Sequence, residues 1–251
     1  VDFNELRHAK LHVQVGKNLV ENKMPDSHFF QEVIERGGKI VSLAPEYSPP
    51  ATKSDYWIPV RPGLGDTAIF LGIAKWMMDN DRYDAPFVKR FTDFPLLIRE
   101  DTLERLDPAD VFAAYEKRLS QNGASFALHG LTVDQYDQLH DFVIVDANTG
   151  ELTALSRDEV GDRLNERGID PELNFRDTVT LRDGSEVEVM TTWEAYRQHL
   201  ADYDMDTVAE ISNSPKDLIE RLAEDMATIK PMAIHVGEGI NHWFHATLHN
   251  R

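Results

Sequence analysis

Strand-like apolar runs alternate with helical segments in the first part of the chain, and this alternation constrains the fold most strongly. LHVQV (11–15), KIVSLA (39–44) and DYWIPV (55–60) are candidate strands, each followed by turn residues. PDSHFFQEVIER (25–36) predicts a helix, because its apolar residues have helical spacing between a Pro and a Gly pair. PMAIHVG (231–237) predicts a fourth buried strand. Strands separated by helices need crossover connections, so the sequence predicts an α/β fold with a Rossmann-like, doubly wound, mostly parallel sheet.

Residues 107–198 carry a different pattern. FVIVDANTGELTAL (142–155) and TVTLRDGSEVEVM (178–190) each contain two extended runs around a Gly-containing turn, which is typical of β-hairpins. This charged block indicates a β-hairpin-rich insertion in the α/β fold. The predicted organisation is an α/β segment over 1–106, the insertion over 107–198, and a return of the α/β domain over 199–251.

Two further segments predict helices. TAIFLGIAKWMMDN (67–80) is strongly apolar and is expected to be a buried helix. MDTVAEISNSPKDLIERLAEDM (205–226) predicts two helices that are split at 213–215, where Ser214 is suited to cap the second.

Charge and composition exclude several classes of function. The 251 residues carry a formal net charge of −18, which would repel a nucleic-acid backbone, so no nucleic acid is expected as a partner. The chain has no cysteine, which excludes disulfides, thiolate chemistry and iron–sulfur ligation by this segment. No apolar run is long enough to span a bilayer. The chain begins at Val1 with neither Met nor a signal peptide, which indicates processing or an internal fragment.

Four predicted strand ends carry residues suited to ligand binding. Ligands of open α/β sheets bind beyond the carboxyl ends of the strands, and these four loops would share one rim. Glycines let backbone amides approach a phosphate closely, Lys17 or Arg61 would neutralise its charge, and Asp66 would accept two hydrogen bonds from a guanine-type edge. The candidate cofactor-binding residues are Gly16, Lys17, Asn18, Pro45, Glu46, Tyr47, Ser48, Arg61, Gly63, Gly65, Asp66, Gly237 and Gly239.

Each of these residues also has a plainer interpretation. Asp66 precedes a predicted helix and is suited to cap it, whereas Lys17 and Arg61 are suited to solvated positions. The proline-rich loop after the second strand is either a rigid crossover or a source of hydrogen bonds from Tyr47 and Ser48 to a ribose or phosphate. Neither a G-x-G-x-x-G nor a phosphate-loop motif is present, so the prediction depends on the four loops sharing one rim.

The last residues of the chain hold a histidine cluster. His242 and His245 are three residues apart, and His245 and His249 are four apart, which places them on one helical face with the spacing of zinc ligands. No H-E-x-x-H pattern and no obvious carboxylate or thiol partner accompanies them, so a metal site is the disfavoured alternative. Trp243 and Phe244 are expected to be core residues.

Three stretches of the chain, in this order, resemble one family. They are GKNLVENKMPDSHFFQEVIERGGKIVSLAPEYSPPATKSDYWIPVRPGLGDTAIFLGIAKWM (16–77), DAPFVKRFTDFPLLIR (84–99) and GEGINHWFHATLHNR (237–251). They are similar to the molybdopterin-binding catalytic subunits of the dimethyl-sulfoxide-reductase superfamily. Within it they resemble the branch of respiratory nitrate reductase alpha subunits and nitrite oxidoreductases, near which perchlorate, chlorate and selenate reductases lie.

The resemblance implies that this chain is an internal fragment of a catalytic subunit several times longer. An upstream part would carry iron–sulfur ligands and an aspartate ligand to molybdenum, and a downstream part would complete the second pterin site. The implied cofactor is molybdenum bis(molybdopterin guanine dinucleotide), and a 4Fe–4S cluster is expected in the full subunit without ligands from this segment. The expected partners are the remainder of the subunit, an iron–sulfur beta subunit and a haem or membrane-anchor subunit. The complex would be membrane-associated. Related enzymes face either side of the membrane, and the acidic composition favours the extracytoplasmic face over the cytoplasmic one.

Carried over position by position, the resemblance assigns roles to the loops. Gly16 and Asn18 would lie along one pterin guanine dinucleotide, and residues 45–48 would hold its ribose and phosphates. Many members have Asp-Pro-Arg where this chain has Ala44-Pro45-Glu46, and a carboxylate at Glu46 suits a ribose hydroxyl better than a phosphate. The loop that reads guanine would contain Gly63, Gly65 and Asp66.

The resemblance also implies a reaction, oxygen-atom transfer between nitrate and nitrite in either direction. Gly237 and Gly239 would approach the pterin. The candidate catalytic residues Asn241, His242 and His245 would lie over the substrate funnel, where a histidine would bind the oxyanion or relay a proton without ligating the metal. The alternatives are a perchlorate, chlorate or selenate reductase, a non-catalytic Rossmann-like nucleotide-binding module, and a small zinc protein.

Overall fold

The computed structural model describes residues 3–116, 141–157 and 159–243. Within these residues the strands are β1 (Leu11–Val15), β2 (Lys39–Ala44), β3 (Tyr56–Pro59), β4 (Leu97–Arg99), β5 (Phe142–Asp146), β6 (Glu151–Leu155), β7 (Arg176–Thr180), β8 (Glu186–Thr191) and β9 (Met232–Val236). The α-helices are α1 (Leu19–Asn22), α2 (Ser27–Glu35), α3 (Gly65–Asp79), α4 (Ala85–Phe91), α5 (Pro108–Val111), α6 (Asp162–Glu166), α7 (Thr192–His199), α8 (Met205–Ser212), α9 (Lys216–Thr228) and α10 (Glu238–Asn241). Short 3-10 helices cover Phe3–His8, Met24–Asp26 and Ala51–Lys53.

A four-stranded parallel sheet in the order β3-β2-β1-β9 forms the centre of the first of two compact units, Val1–Tyr83 with Leu200–Arg251. Val13 on β1 pairs with Val41 on β2 and with Ile234 on β9. Parallel neighbours require crossover connections, and helices supply them here. This arrangement confirms the predicted α/β fold with a Rossmann-like parallel sheet.

Helices cover both faces of this sheet, as a doubly wound fold requires. On one face Leu11, Val13 and Val15 of β1 are buried against apolar side chains of α3, α8 and α9. On the other face Ile40 of β2 packs with Phe30 of α2. Because side chains alternate between the two faces of a strand, a strand buried on both sides reads as a nearly continuous apolar run.

Helix α3 packs closely against α8 because residue 72 is glycine. A Cβ atom at Gly72 would lie 2.6 Å from Cγ2 of Val208, well inside the normal separation of packed carbon atoms. Ile69 and Ile73 on the same helix are fully or almost fully buried. The buried helix predicted at 67–80 is therefore confirmed, with observed bounds Gly65–Asp79.

The prediction that Ser214 caps the second helix of the 205–226 pair is wrong. Helix α9 begins after Pro215, which makes no side-chain cap. The Ser214 hydroxyl instead donates to the carbonyl oxygen of Pro59 at 2.6 Å, and the amide of Arg61 donates to Ser212 O at 2.7 Å. A tertiary contact thus takes the hydroxyl that local sequence assigns to a cap, and it fixes the end of β3.

The fourth strand is present, but its predicted burial is wrong. Strand β9 occupies an edge of the sheet, where among the described residues it pairs with β1 alone. Ile234 is 42% exposed and Val236 is 45% exposed. An apolar run predicts that a segment is extended, but it does not show how many neighbours the strand has.

The second compact unit, Asp84–His199, is antiparallel. Its three-stranded sheet has the order β4-β8-β7, and β5 with β6 forms a separate hairpin. Phe142 pairs with Leu155, and Val179 pairs with Val187, so both hairpins predicted from sequence are present. Their buried side chains form two apolar clusters, one containing Val189 and the other Ile144.

The border of this unit differs from the one expected between 106 and 107. Residues 84–106 belong to the antiparallel unit because β4 pairs with β8, with Ile98 opposite Met190. This pairing joins segments far apart in sequence, and no local composition change marks it.

Among the helices that the structure describes, none is long and apolar enough to cross a membrane.

Candidate functional site

A cavity of about 630 Å3 opens at the carboxyl ends of the parallel strands. The loops after β1, β2, β3 and β9 line it, and these are the four loops that the sequence predicts on one rim. The volume lies in the range of roughly 300–1,000 Å3 that is usual for small-molecule sites. The lining residues are Gly16, Lys17, Asn18, Asn22, Lys23, Ala44, Pro45, Glu46, Ser48, Pro62, Asp66, Glu238, Gly239, His242 and Trp243.

Not every predicted site residue lines the cavity. Those in the same loops that do not are Tyr47, Arg61, Gly63, Gly65, Gly237 and Asn241. His245 lies outside the described residues. Sequence analysis did not select Asn22, Lys23, Ala44, Pro62, Glu238 or Trp243 as binding residues, although all six line the cavity. The cavity is a structural finding, and the binding and catalytic roles stay predictions.

Glycines interlock the loops after β1 and β9. The amide of Gly239 donates to the carbonyl oxygen of Gly16 at 3.1 Å, and the amide of Gly237 donates to Val15 O at 2.8 Å. A Cβ atom at Gly239 would lie 2.8 Å from Gly16 O, and one at Gly237 would lie 2.7 Å from the Cα of Lys17. Gly16 has a positive φ of 56°, which favours glycine. Only glycines therefore permit this approach, which sets one wall of the cavity.

Asn18 caps a helix at the edge of the cavity. It is the N-cap of α1, and its side-chain Oδ1 accepts a hydrogen bond from the amide of Glu21 at 3.2 Å. The cap occupies one side-chain oxygen that a ligand would otherwise use. Asn18 thus shapes the turn that presents Lys17 to the cavity.

The loop after β2 is held by an indole. Trp57 donates from Nε1 to the carbonyl oxygen of Ala44 at 2.9 Å, and the Tyr47 ring packs edge-on against Trp57 with 5.4 Å between centroids. Tyr47 is exposed, whereas Ser48 is buried and lines the cavity. Of the two hydroxyls predicted to bind a ribose or phosphate, the structure brings Ser48 to the cavity.

The loop after β3 delivers the start of α3 to the cavity. Gly63 has a positive φ of 101°, which permits a sharp turn. A Cβ atom at Gly65 would lie 2.7 Å from Cγ2 of Val60, so a side chain there would push the loop off the strand end. The N-cap is Leu64, which makes no side-chain cap, so the plainer interpretation of Asp66 as the N-cap is wrong.

Asp66 is a buried carboxylate with spare hydrogen-bonding capacity. It is 7% exposed, and among the described residues its Oδ1 has no hydrogen-bond partner. Burial raises its pKa from the usual 3.8 to about 6. A buried acceptor without a partner costs free energy unless a ligand supplies a donor. Asp66 is therefore suited to receive N–H donors of a molecule in the cavity.

Both signs of charge surround the cavity. Lys17, Lys23, Glu46 and Glu238 line it. Lys23 Nζ lies 3.5 Å from a carboxylate oxygen of Glu238, which joins the loops after α1 and β9. Arg61 is exposed and does not line the cavity. Of the two cations expected to face a phosphate, Lys17 lines the cavity and Arg61 does not.

The expectation that Trp243 is a core residue is wrong. Trp243 is 47% exposed and lines the cavity. Its Nε1–H donates to the carbonyl oxygen of Gly239 at 2.9 Å. His242 also lines the cavity, whereas Phe244 lies outside the described residues.

No metal-binding cluster is found in the part of the chain that the structure describes. There, no group of three or more His, Cys, Asp or Glu side chains is arranged to hold an ion. The alternative zinc site would use His242 together with His245 and His249, and the last two lie outside the described residues.

Comparisons with known proteins show which proteins this chain is similar to. The chain is 32% identical over 237 residues to the perchlorate reductase subunit alpha of Dechloromonas aromatica, covering 92% of this chain and 25% of that protein. It is 31% identical to the respiratory nitrate reductase subunit alpha of Haloferax mediterranei, covering 94% and 23% of the two chains. It is 24% identical to the respiratory nitrate reductase 1 alpha chain of Escherichia coli, covering 94% and 24%. The chain thus spans about a quarter of the length of these relatives.

This chain is also similar to a solved structure and matches a family model. Acetylene hydratase from Pelobacter acetylenicus superposes with a TM-score of 0.49 and 16% identity, covering 95% of this chain and 21% of that one. The family model described as molybdopterin oxidoreductase matches residues 1–251. The chain therefore belongs to the molybdopterin oxidoreductase family.

Proposed function

We propose that this chain holds the guanine nucleotide end of a molybdenum–pterin cofactor in an enzyme that transfers an oxygen atom between nitrate and nitrite. Membership of the molybdopterin oxidoreductase family implies a molybdenum–pterin cofactor. The guanine dinucleotide form of the cofactor is supported by Asp66, a buried residue that lines the cavity and has a carboxylate oxygen without a hydrogen-bond partner among the described residues.

The chemistry of Asp66 fits the edge of guanine. Guanine presents a ring N–H and an exocyclic amino group side by side, and a carboxylate has two acceptor oxygens. Such charge-assisted hydrogen bonds are short and strong, particularly where water is excluded. Adenine lacks this pair of donors, so Asp66 supports guanine in preference to adenine.

The glycine interlock fits a pyrophosphate or another group that must approach the backbone closely. Gly16 and Gly239 both line the cavity and carry no side chain that would keep a ligand away from the main chain. Lys17 and Lys23 also line the cavity and supply positive charge, although Lys23 pairs with Glu238. Glu46 lines it too, and a carboxylate suits a ribose hydroxyl better than a phosphate.

The residues of this chain bind and orient, and the metal centre supplies the redox chemistry. When bound, a molybdenum–pterin group provides two-electron oxygen-atom transfer. His242 lines the cavity, and histidine is suited to donate a hydrogen bond to an oxyanion or exchange a proton near neutral pH. Asn241 and His245 are proposed to act with it over the substrate.

Nitrogen oxyanions are the proposed substrates, and perchlorate is the second candidate. Two of the relatives are named as nitrate reductase alpha subunits, and one with 32% identity is named as a perchlorate reductase alpha subunit. The resemblance of 84–99 and 237–251 to the nitrate reductase and nitrite oxidoreductase branch favours nitrate or nitrite. Chlorate and selenate belong to the same group of alternatives.

The full protein is proposed to work in a complex. The relatives are named as alpha subunits, which supports further subunits, here an iron–sulfur beta subunit and a haem or membrane-anchor subunit. A 4Fe–4S cluster would be ligated elsewhere in the full subunit, because this chain contains no cysteine. The proposed location is a membrane-associated complex on the extracytoplasmic face.

The test is chemical analysis of the purified native complex, followed by assays with several oxyanions. We expect molybdenum, acid-released guanine nucleotide, and nitrate reduction or nitrite oxidation faster than turnover of perchlorate, chlorate or selenate. Faster perchlorate turnover would favour the second candidate. Nucleotide without molybdenum would favour a non-catalytic nucleotide-binding module, and zinc alone would overturn the proposal.

A further inference from the structure

Trp243 lines the cavity, and a hydrogen bond within its own loop holds the indole. Its Nε1–H donates to Gly239 O at 2.9 Å within its own loop. Its ring atoms Cδ2 and Cε3 lie 3.8 Å and 3.9 Å from the position that a Cβ atom of Gly63 would occupy, which is ordinary van der Waals distance. The hydrogen bond to Gly239 O orients the indole, although 47% of its surface is exposed.

The indole lies near Gly63, and the two residues belong to loops from opposite edges of the sheet. Gly63 follows β3 and Trp243 follows β9, and the strand order is β3-β2-β1-β9. Neighbouring strands are about 4.8 Å apart, so the two edge strands are separated by roughly 14 Å. The loops after β3 and β9 therefore approach each other over the carboxyl ends of the inner strands, on the side where the cavity opens.

The geometry points to Trp243 as an aromatic platform on which the guanine base stacks, and this inference rests on the proposed function. Asp66 and Trp243 line the same cavity and offer complementary chemistry. A carboxylate recognises the hydrogen-bonding edge of a base, whereas an indole recognises its flat face without regard to the base's identity. Asp66 accordingly determines which base is bound, and Trp243 contributes affinity for any purine.

Substitutions of Trp243 distinguish a stacking platform from a merely structural role. If the indole only packed on Gly63 to hold the loops together, leucine would replace it as well as phenylalanine. A stacking platform needs a π face, so Trp243→Phe should retain most of the affinity and Trp243→Leu should lose it. Leu64→Ala is the matched control, because Leu64 is an exposed apolar residue of the loop after β3 that does not line the cavity.

The experiment uses the full-length subunit, made both with cofactor and in a host that cannot synthesise molybdopterin. In the cofactor-free subunit, calorimetry measures the Kd of guanosine 5′-monophosphate and adenosine 5′-monophosphate. Base stacking on an aromatic residue has an effect equivalent to about 5- to 150-fold in Kd, so Trp243→Leu should weaken both nucleotides by a factor in that range. Asp66→Asn should weaken the guanine nucleotide alone. In the loaded subunit, guanine nucleotide content should fall in Trp243→Leu and not in Trp243→Phe or Leu64→Ala.

Three results would contradict the proposal that the guanine base stacks on Trp243. The first is an unchanged Kd for both nucleotides in a Trp243→Leu subunit whose melting temperature matches the wild type. The second is equal loss in the Phe and Leu variants. The third is no binding of guanosine monophosphate by the wild-type cofactor-free subunit. Failure of the proposed function is distinct, because it appears as wild-type complex without molybdenum or guanine nucleotide.

Discussion

The backbone amide of Gly239 donates a hydrogen bond to the carbonyl oxygen of Gly16 at 3.1 Å, although more than two hundred residues separate them in the sequence. The contact closes the cavity wall between the loops after β1 and β9. A Cβ atom at Gly239 would lie 2.8 Å from that carbonyl oxygen and 3.2 Å from the Cα of Gly16. The loops therefore approach each other only while residue 239 lacks a side chain.

Gly239→Ala should separate these loops and lower cofactor content. Overpacking of this kind costs about 1–3 kcal/mol, so the melting temperature should also fall. Gly72→Ala is the matched control, because its Cβ would lie 2.6 Å from Val208 in a helix contact away from the cavity. We expect both variants to lose stability, but only Gly239→Ala to lose guanine nucleotide and molybdenum. Equal cofactor content in the two variants would contradict a binding role for the interlock.

Asp66 should make nucleotide binding dependent on pH. Burial raises its pKa to about 6, so the carboxylate that accepts two donors predominates only above that value. Each pH unit below the pKa lowers the carboxylate fraction about tenfold. The affinity of the cofactor-free subunit for guanosine monophosphate should therefore drop about tenfold between pH 7 and pH 5. Calorimetry across this range checks it, and Asp66→Asn should show no such dependence. A wild-type affinity that is flat with pH would rule out the carboxylate as the acceptor.

His12 should make the first unit sensitive to acid. It is fully buried on β1, its ring stacks on His235 at 5.9 Å, and among the described residues neither of its ring nitrogens has a partner. Burial, and secondarily the charge of His235, lower its pKa from 6.5 to about 4. Between pH 6.5 and 4, His12 therefore binds a proton in the unfolded chain but not in the folded chain. Stability present above pH 6.5 is lost as the pH falls through this window, by up to about 3 kcal/mol.

His12→Leu tests this dependence. Leucine keeps an apolar side chain of similar size and has no buried nitrogen to desolvate, so it should stabilise the protein at pH 5 more than at pH 7. Thermal unfolding of the subunit at both pH values gives the comparison. An equal shift in melting temperature at the two pH values would show that His12 does not carry the acid sensitivity.

Asp225 should contribute more stability than its neighbour Glu224. The Asp225 carboxylate accepts from Lys39 Nζ at 2.7 Å and from the Tyr56 hydroxyl at 2.8 Å, and it is buried. Glu224 pairs with Arg82 at 2.9 Å, but both side chains are about half exposed. Asp225→Ala should cost about 2–3 kcal/mol, because it leaves buried polar groups unpaired. Glu224→Ala should cost less than about 1 kcal/mol. Similar falls in melting temperature would contradict this ranking.

Sequence patterns predicted the parallel sheet because short strand-like runs alternate with helical segments and end at turn residues. Leu11 to Val15 are all buried, although His12 and Gln14 within this run are polar. The patterns failed where a distant segment decides the outcome. Ser214 donates to Pro59 rather than capping a helix, and β4 joins the second unit by pairing with β8. Neither partner is visible from local sequence.

The loops that line the cavity were predictable from the sequence, whereas several of the lining side chains were not. Parallel strands bring their carboxyl ends to one rim, so residues that follow the strands were found, among them Gly16 and Asp66. Trp243 was missed because a tryptophan is by default expected to be buried. Lys23 and Glu238 were missed because only the folded chain brings α1 near the end of β9.

The most direct test of the central claim compares Asp66→Asn with Asp79→Asn in the full-length subunit. Both residues lie on α3, but Asp66 is buried at the cavity, whereas Asp79 is exposed and paired with Lys75 at 2.8 Å. Acid-released guanine nucleotide and molybdenum are measured in each purified variant. We expect Asp66→Asn to lose guanine nucleotide and molybdenum together while Asp79→Asn retains wild-type amounts of both. Full cofactor content in Asp66→Asn would contradict the claim that this cavity holds the guanine end of the cofactor.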